Sequence, residues 1–248
     1  MRASAVVLMS VFSSAVWADD AVSTFARPNV LDAYYADPTT RYGHDALGVG
    51  HEWGALMLEL DKCPQCNLLT YETRSMTLSD DLVFEDLTPH LTDLDRDERA
   101  EVLVVESSLT EGSRLALWGP DGRIATGDFV GQRHRWLAVI GAADFDGDGE
   151  IEVAYIETPH LGKTLKIARL NGEHLEVIAQ APGLTNHHVG SDIIESAIIL
   201  CGSHAVILTA DADWSQVIAT RFENGALMSN PAGPYQGPSS FQNLPDCN

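Results

Sequence analysis

One acidic pattern occurs twice in this chain, 51 residues apart, and each copy runs straight into an apolar stretch. The first copy is Asp93-Leu-Asp95-Arg-Asp97-Glu98-Arg99-Ala-Glu101, followed by Val-Leu-Val-Val at 102–105. The second is Asp144-Phe-Asp146-Gly-Asp148-Gly149-Glu150-Ile-Glu152, followed by Val-Ala-Tyr-Ile at 153–156. A second marker keeps the same beat: the turn glycines Gly122, Gly172 and Gly225 are spaced by 50 and 53 residues. Two independent markers with one period define a repeat architecture. A unit of that size cannot bury its own hydrophobic faces, so it must stack on its neighbours.

Each unit reads as acidic loop, apolar strand, second strand, glycine-containing turn and third strand. In the first clear unit the strands fall at 101–105, 114–118 and 123–126, with the turn Gly119-Pro120-Asp121-Gly122. In the next they fall at 152–156, 164–170 and 174–179, with the turn Asn171-Gly172. Asn-Gly between apolar runs is a strong hairpin signal, because both residues accept positive φ. A third unit has a decayed loop at 191–196, strands near 197–200, 205–209 and 217–222, and Asn224-Gly225 before 226–228. Counting back places a degenerate unit from residue 44, with strands at 52–60 and 68–71, and residues 29–35 read as one or two helical turns. The pattern predicts an all-β fold, a β-propeller of about five small blades with acidic loops between strands. The units run approximately over 44–92, 93–143, 144–190 and 191–230, inside one domain over 19–248 with a tail at 231–248.

Met1-Arg2, a short apolar stretch at 5–16 and the small-residue site Val16-Trp-Ala18 read as a secretory signal peptide over 1–18. The expected location is therefore periplasmic or secreted. No segment reaches the roughly 18 apolar residues of a membrane span. The formal net charge of -21 repels nucleic acid and anionic membranes, so neither is an expected partner. Four cysteines in an exported chain predict two disulfides. Three pairings exist, and the simplest joins Cys63 to Cys66 and Cys201 to Cys247. The flanks of Cys63-Pro-Gln-Cys66 look like strands, not the opening of a helix, which favours a structural bridge over a redox motif.

Three aspartates at alternate positions repel one another unless a cation lies among them. Calcium suits the task, being hard and accepting six to eight oxygens in flexible geometry. In the second loop the expected ligands are Asp144, Asp146, Asp148, the carbonyl of Glu150, and Glu152. In the first loop they are Asp93, Asp95, Asp97, the carbonyl of Arg99, and Glu101. The sixth position turns into a left-handed conformation, which glycine adopts freely. Gly149 fits that need. Glu98 does not, and a left-handed non-glycine residue costs roughly 1 kcal/mol. The 93–101 loop is therefore expected to be the weaker of the two.

These residues resemble the FG-GAP/VCBS repeats of integrin-α-like β-propellers. In that family the acidic loop binds calcium between two strands of a blade and a Thr-Pro-x-hydrophobic-Gly segment follows, which Thr158-Pro159-His160-Leu161-Gly162 matches. The resemblance is good over about 85–210 and weak elsewhere. Glu98 departs from the family's glycine, and Glu101 and Glu152 stand where aspartate is frequent. The resemblance implies a calcium-stabilised exported scaffold that binds a protein or glycan ligand. It does not define an activity, because function lives in sites placed on a fold.

An exported hydrolase or metal-dependent enzyme is the alternative class. His44, His134, His160, His187 and His188 all fall in loops that a ring would bring together at one mouth. No H-E-x-x-H or G-x-S-x-G is present. No catalytic residue is assigned, and Trp53, Trp118 and Trp136 are expected to pack between blades.

Overall fold

The structure, a computed structural model, describes residues 28–64, 66–201 and 204–241. The segment read as a signal peptide, and Cys247, lie outside the described residues. The chain forms four antiparallel meanders in sequence order. The first holds β1 (Asn29–Thr39), β2 (Glu52–Asp61) and β3 (Tyr71–Thr77). The second holds β4 (Leu82–Phe84), β5 (His90–Thr92), β6 (Glu101–Ser108), β7 (Gly112–Gly119) and β8 (Gly122–Thr126). The third holds β9 (Leu137–Ala143), β10 (Glu152–Glu157), β11 (Thr164–Asn171) and β12 (His174–Pro182). The fourth holds β13 (Leu184–Thr185), β14 (Ala197–Cys201), β15 (His204–Asp211), β16 (Gln216–Glu223) and β17 (Ala226–Pro234). No α-helix occurs among the described residues, and none is long and apolar enough to cross a membrane.

Hydrogen bonds join the first three meanders into a single twelve-stranded sheet, but the seams are thin. One bridge, Trp53 to Phe84, links β2 to β4, and one parallel bridge, His174 to Thr126, links β8 to β12. Side-chain packing does the main joining. Val102 and Val104 of β6 pack with Leu56, Leu58 and Leu60 of the first meander. Leu103 and Val105, on the opposite face, pack with Val153, Tyr155 and Trp136 of the third. On β10 the next pair, Ala154 and Ile156, turns to Ala205, Ile207 and Phe222 of the fourth. Every residue of β6 is buried. A strand covered on both faces reads as a continuous apolar run, which is why 102–105 and 153–156 carry no alternation. Leu103→Ala is expected to cost about 2–5 kcal/mol, while Leu68→Ala, at an exposed loop position, should cost under about 0.5 kcal/mol. Urea unfolding of both variants checks this, and equal costs would contradict the stacked arrangement.

Several expectations need correction. Residues 29–35 are not helical: they belong to β1, an edge strand held on β2 through nine residue pairs. The strand expected at 68–71 begins only at Tyr71. β9 gave no sequence signal, since Leu-Ala-Val-Ile-Gly-Ala-Ala is small and unalternating and shifts register on β10 next to Gly141. The decayed loop at 191–196 is not the fourth counterpart of the acidic loops. The matching connection is the short β14–β15 hairpin, closed by the pair Cys201–His204. Asn224 and Gly225 both take positive φ, as the hairpin signal required. Cys63 and Cys66 are disulfide-bonded in the β2–β3 loop, and Cys201 is disulfide-bonded as well.

Candidate metal sites

Both acidic loops are hairpin connections of one design. The 93–100 loop joins β5 to β6 and is closed by the pair Thr92–Glu101. The 144–151 loop joins β9 to β10 and is closed by Ala143–Glu152. The second residue of each loop turns inward: Leu94 is 3% exposed and Phe145 1%. That burial anchors the loop, and the glutamate at its end completes the anchor. Glu101 Oε2 accepts from the Leu94 N–H at 2.9 Å, and Glu152 Oε2 from the Phe145 N–H at 2.9 Å.

The aspartates bond the loop backbone in matching fashion. Asp93 Oδ2 accepts from the Glu98 N–H at 3.1 Å, and Asp144 Oδ2 from the Gly149 N–H at 3.0 Å. Asp97 Oδ1 accepts from the Arg99 N–H at 3.0 Å, and Asp148 Oδ1 from the Glu150 N–H at 2.8 Å. The backbone turns left-handed at the fourth and sixth positions of each loop. Gly147 and Gly149 have φ of 79° and 92°, and Arg96 and Glu98 have φ of 60° and 67°. Glu98 thus adopts the geometry that its residue type disfavours.

The charge environments differ. Asp93, Asp95, Asp97 and Glu101 bring one oxygen each within 4.8 Å of one another. Burial, with the charges of Asp95, Asp93 and Asp97 adding to it, pushes Glu101 up to about 7. In the second loop Asp144, Asp146 and Glu152 form the corresponding group, and Asp148 stands outside it. Asp148 is held below the usual carboxylate range, first by the Glu150 N–H and then by Arg169. All donors in both loops are oxygens, carboxylate or carbonyl, a hard set that suits calcium or magnesium and not a thiophilic metal.

A third member of this design escaped the sequence reading. Glu52 stands at the same place in the first meander, at the start of β2 and paired with Thr39. Its buried carboxylate accepts from the N–H groups of His44 at 2.9 Å and Asp45 at 3.2 Å. The loop it anchors, 40–51, is longer, lacks the alternating aspartates and reaches across the molecule. Arg133 Nη2 donates to the Tyr42 carbonyl at 2.9 Å, and the Gly190 N–H donates to the Ala46 carbonyl at 3.3 Å. A glutamate immediately before an apolar strand was the available signal.

The histidines gather partly as expected. His44 lies parallel to His134 with ring centres 4.8 Å apart, and its Nδ1 sits 2.6 Å from Oε1 of the buried Glu85. His187 donates through Nε2 to the Ser191 carbonyl at 2.8 Å, so its Nδ1 accepts from His160 Nε2 at 2.8 Å. His188 turns away to stack on Trp214 at 3.7 Å. Trp118 and Trp136 are buried between meanders as expected, and Trp53 is partly buried. Burial, then neighbouring His187, pushes His160 down from 6.5 to about 4. Its folded pKa is depressed, so the unfolded chain binds more protons between those values and stability falls as pH drops from 6.5 towards 4. The full shift corresponds to about 3 kcal/mol, which solvent screening of a partly exposed ring reduces to about 1–2 kcal/mol. Urea midpoints at pH 7 and 4.5 should differ less in His160→Gln than in the parent, and an unchanged difference would remove His160 from the account.

Compared with protein-family profiles and with curated protein sequences, the chain matches none.

Proposed function

We propose that this chain is an exported, calcium-stabilised scaffold of the FG-GAP/VCBS propeller type, acting as a binding module for a protein or glycan ligand in the periplasm or outside the cell. The observation that carries the reading is the pair of acidic hairpins with matching closing pairs and all-oxygen donor sets, placed at matching positions of successive meanders. Face-to-face packing of successive meanders supports a propeller-like stack. Calcium would be held by Asp93, Asp95, Asp97 and Glu101, and Asp144, Asp146 and Glu152 present the corresponding oxygens in the second loop. When bound, it would neutralise carboxylates that otherwise repel one another at the end of each hairpin, so that binding energy becomes folding energy. The binding role is favoured over an exported hydrolase because the loop imidazoles are engaged in holding loops together. His187 and His160 bond one another, and His44 is fastened to Glu85.

Metal analysis after dialysis of chelator-treated protein against equimolar calcium and magnesium tests the cofactor. Calcium retained in preference to magnesium supports the reading, and a protein that retains neither overturns it.

A further inference from the structure

We propose that Arg169 is the built-in cation of the 144–152 loop, and that it determines which of the two loops takes a metal ion. This rests on the calcium reading above. The two loops share backbone, anchors and closing pairs, so their difference must come from what the neighbouring strand presents. On β11, Arg169 pairs with Glu152. On β7, Trp118 pairs with Val102, which places Gly119 opposite Glu101. One loop therefore faces an arginine where the other faces no side chain.

Arg169 uses its position fully. Its Nη1 lies 3.0 Å from Asp148 Oδ2, its Nη2 lies 3.2 Å from Asp146 Oδ2, and its Nε donates to Glu152 Oε1 at 2.8 Å. A guanidinium is planar and permanently charged, with five donors, so one group serves three carboxylates. A divalent ion approaching those carboxylates must displace it or share them against its charge. Arg96, from the neighbouring loop, also approaches this one. Its Nη1 lies 3.1 Å from where a Cβ on Gly149 would stand, so a second guanidinium lies against this loop. Gly149 thus makes room for Arg96 besides allowing the turn.

The 93–101 loop has no such partner. Among the described residues no Lys, Arg or His lies within salt-bridge distance of Asp93, Asp95, Asp97 or Glu101. The loop with glutamate at its sixth position is therefore the one that requires a divalent ion. The loop with the better glycine pattern is closed by the chain itself. Arg169 acts as a specificity-determining residue by occupying carboxylates, without touching a ligand.

Calcium titration calorimetry of chelator-treated protein tests this with Asp95→Asn/Asp97→Asn, Arg169→Gln and Arg169→Lys. The parent should take up about one ion per chain, the double Asn variant none, the Gln variant about two and the Lys variant about one. Should the Gln variant not fold, the double Asn variant decides: with Arg169 intact it takes up no calcium if the proposal holds. Two equal sites in the parent, or one ion retained by the double Asn variant, would overturn the role of Arg169 and leave the calcium reading standing. No uptake by any form would overturn both.

Discussion

Glu106→Ala should destabilise the protein by about 3–5 kcal/mol, the expected cost of breaking a buried ion network by removing one partner. Glu106 is fully buried on β6, and both its oxygens are used. Oε2 accepts from Arg114 Nε at 3.0 Å and Nη2 at 2.8 Å, and Oε1 accepts from Arg123 Nε at 2.8 Å and Trp118 Nε1 at 2.9 Å. The two arginines are committed to this arrangement, since Arg114 lies over Phe129 and Arg123 over Trp118. Removing the carboxylate leaves two guanidinium groups and an indole N–H facing a void between the first and second meanders. Glu106→Gln keeps the volume and part of the hydrogen bonding, and should cost less than the alanine variant. Urea unfolding of both reads the difference. A cost under about 1 kcal/mol for Glu106→Ala would mean that the network is a surface feature.

Asp95→Asn with Asp97→Asn should abolish the stabilisation that calcium confers. A ligand that binds only the folded state contributes about 2.7–4.1 kcal/mol at 100 to 1,000 times its dissociation constant. In this loop the carboxylates face one another without a protein cation, so the ion has unopposed charge to neutralise. The same pair of changes at Asp146 and Asp148 should have a smaller calcium-dependent effect, because Arg169 already bonds both residues. Comparing unfolding with and without calcium separates loss of the ion from loss of the side chains themselves. Equal calcium-dependent losses at the two loops would sink this ranking.

Much of the fold was legible because the informative residues are local. Apolar runs at 102–105 and 153–156 mark strands buried on both faces, and Asn224-Gly225 marks its own turn. What was missed depends on distant pairing. β1 carries Asp37-Pro38 and a register shift near Val30, features of an edge strand that mimic irregular chain. β9 is a strand only because β10 lies beside it. Glu52 was visible as a residue but not as a counterpart of Glu101 and Glu152, because its loop is longer. The acidic pattern located both candidate sites, yet it ranked them by the sixth position alone. The contrast on which the proposed ranking rests lies across the hairpin, three residues before the turn glycine: Arg169 before Gly172, and Gly119 before Gly122. Aligning the repeats on their turn glycines would have exposed it. That the guanidinium reaches three carboxylates follows from strand register, which the sequence does not display.

The most direct measurement of the central claim is a thermal melt of the purified protein in calcium and in excess chelator. A chain of this length shifts its melting temperature by about 2–4 °C per kcal/mol. Chelation is expected to lower it by about 5–16 °C, and restored calcium to reverse the change. Superimposable melts in calcium and chelator would contradict a calcium-stabilised scaffold.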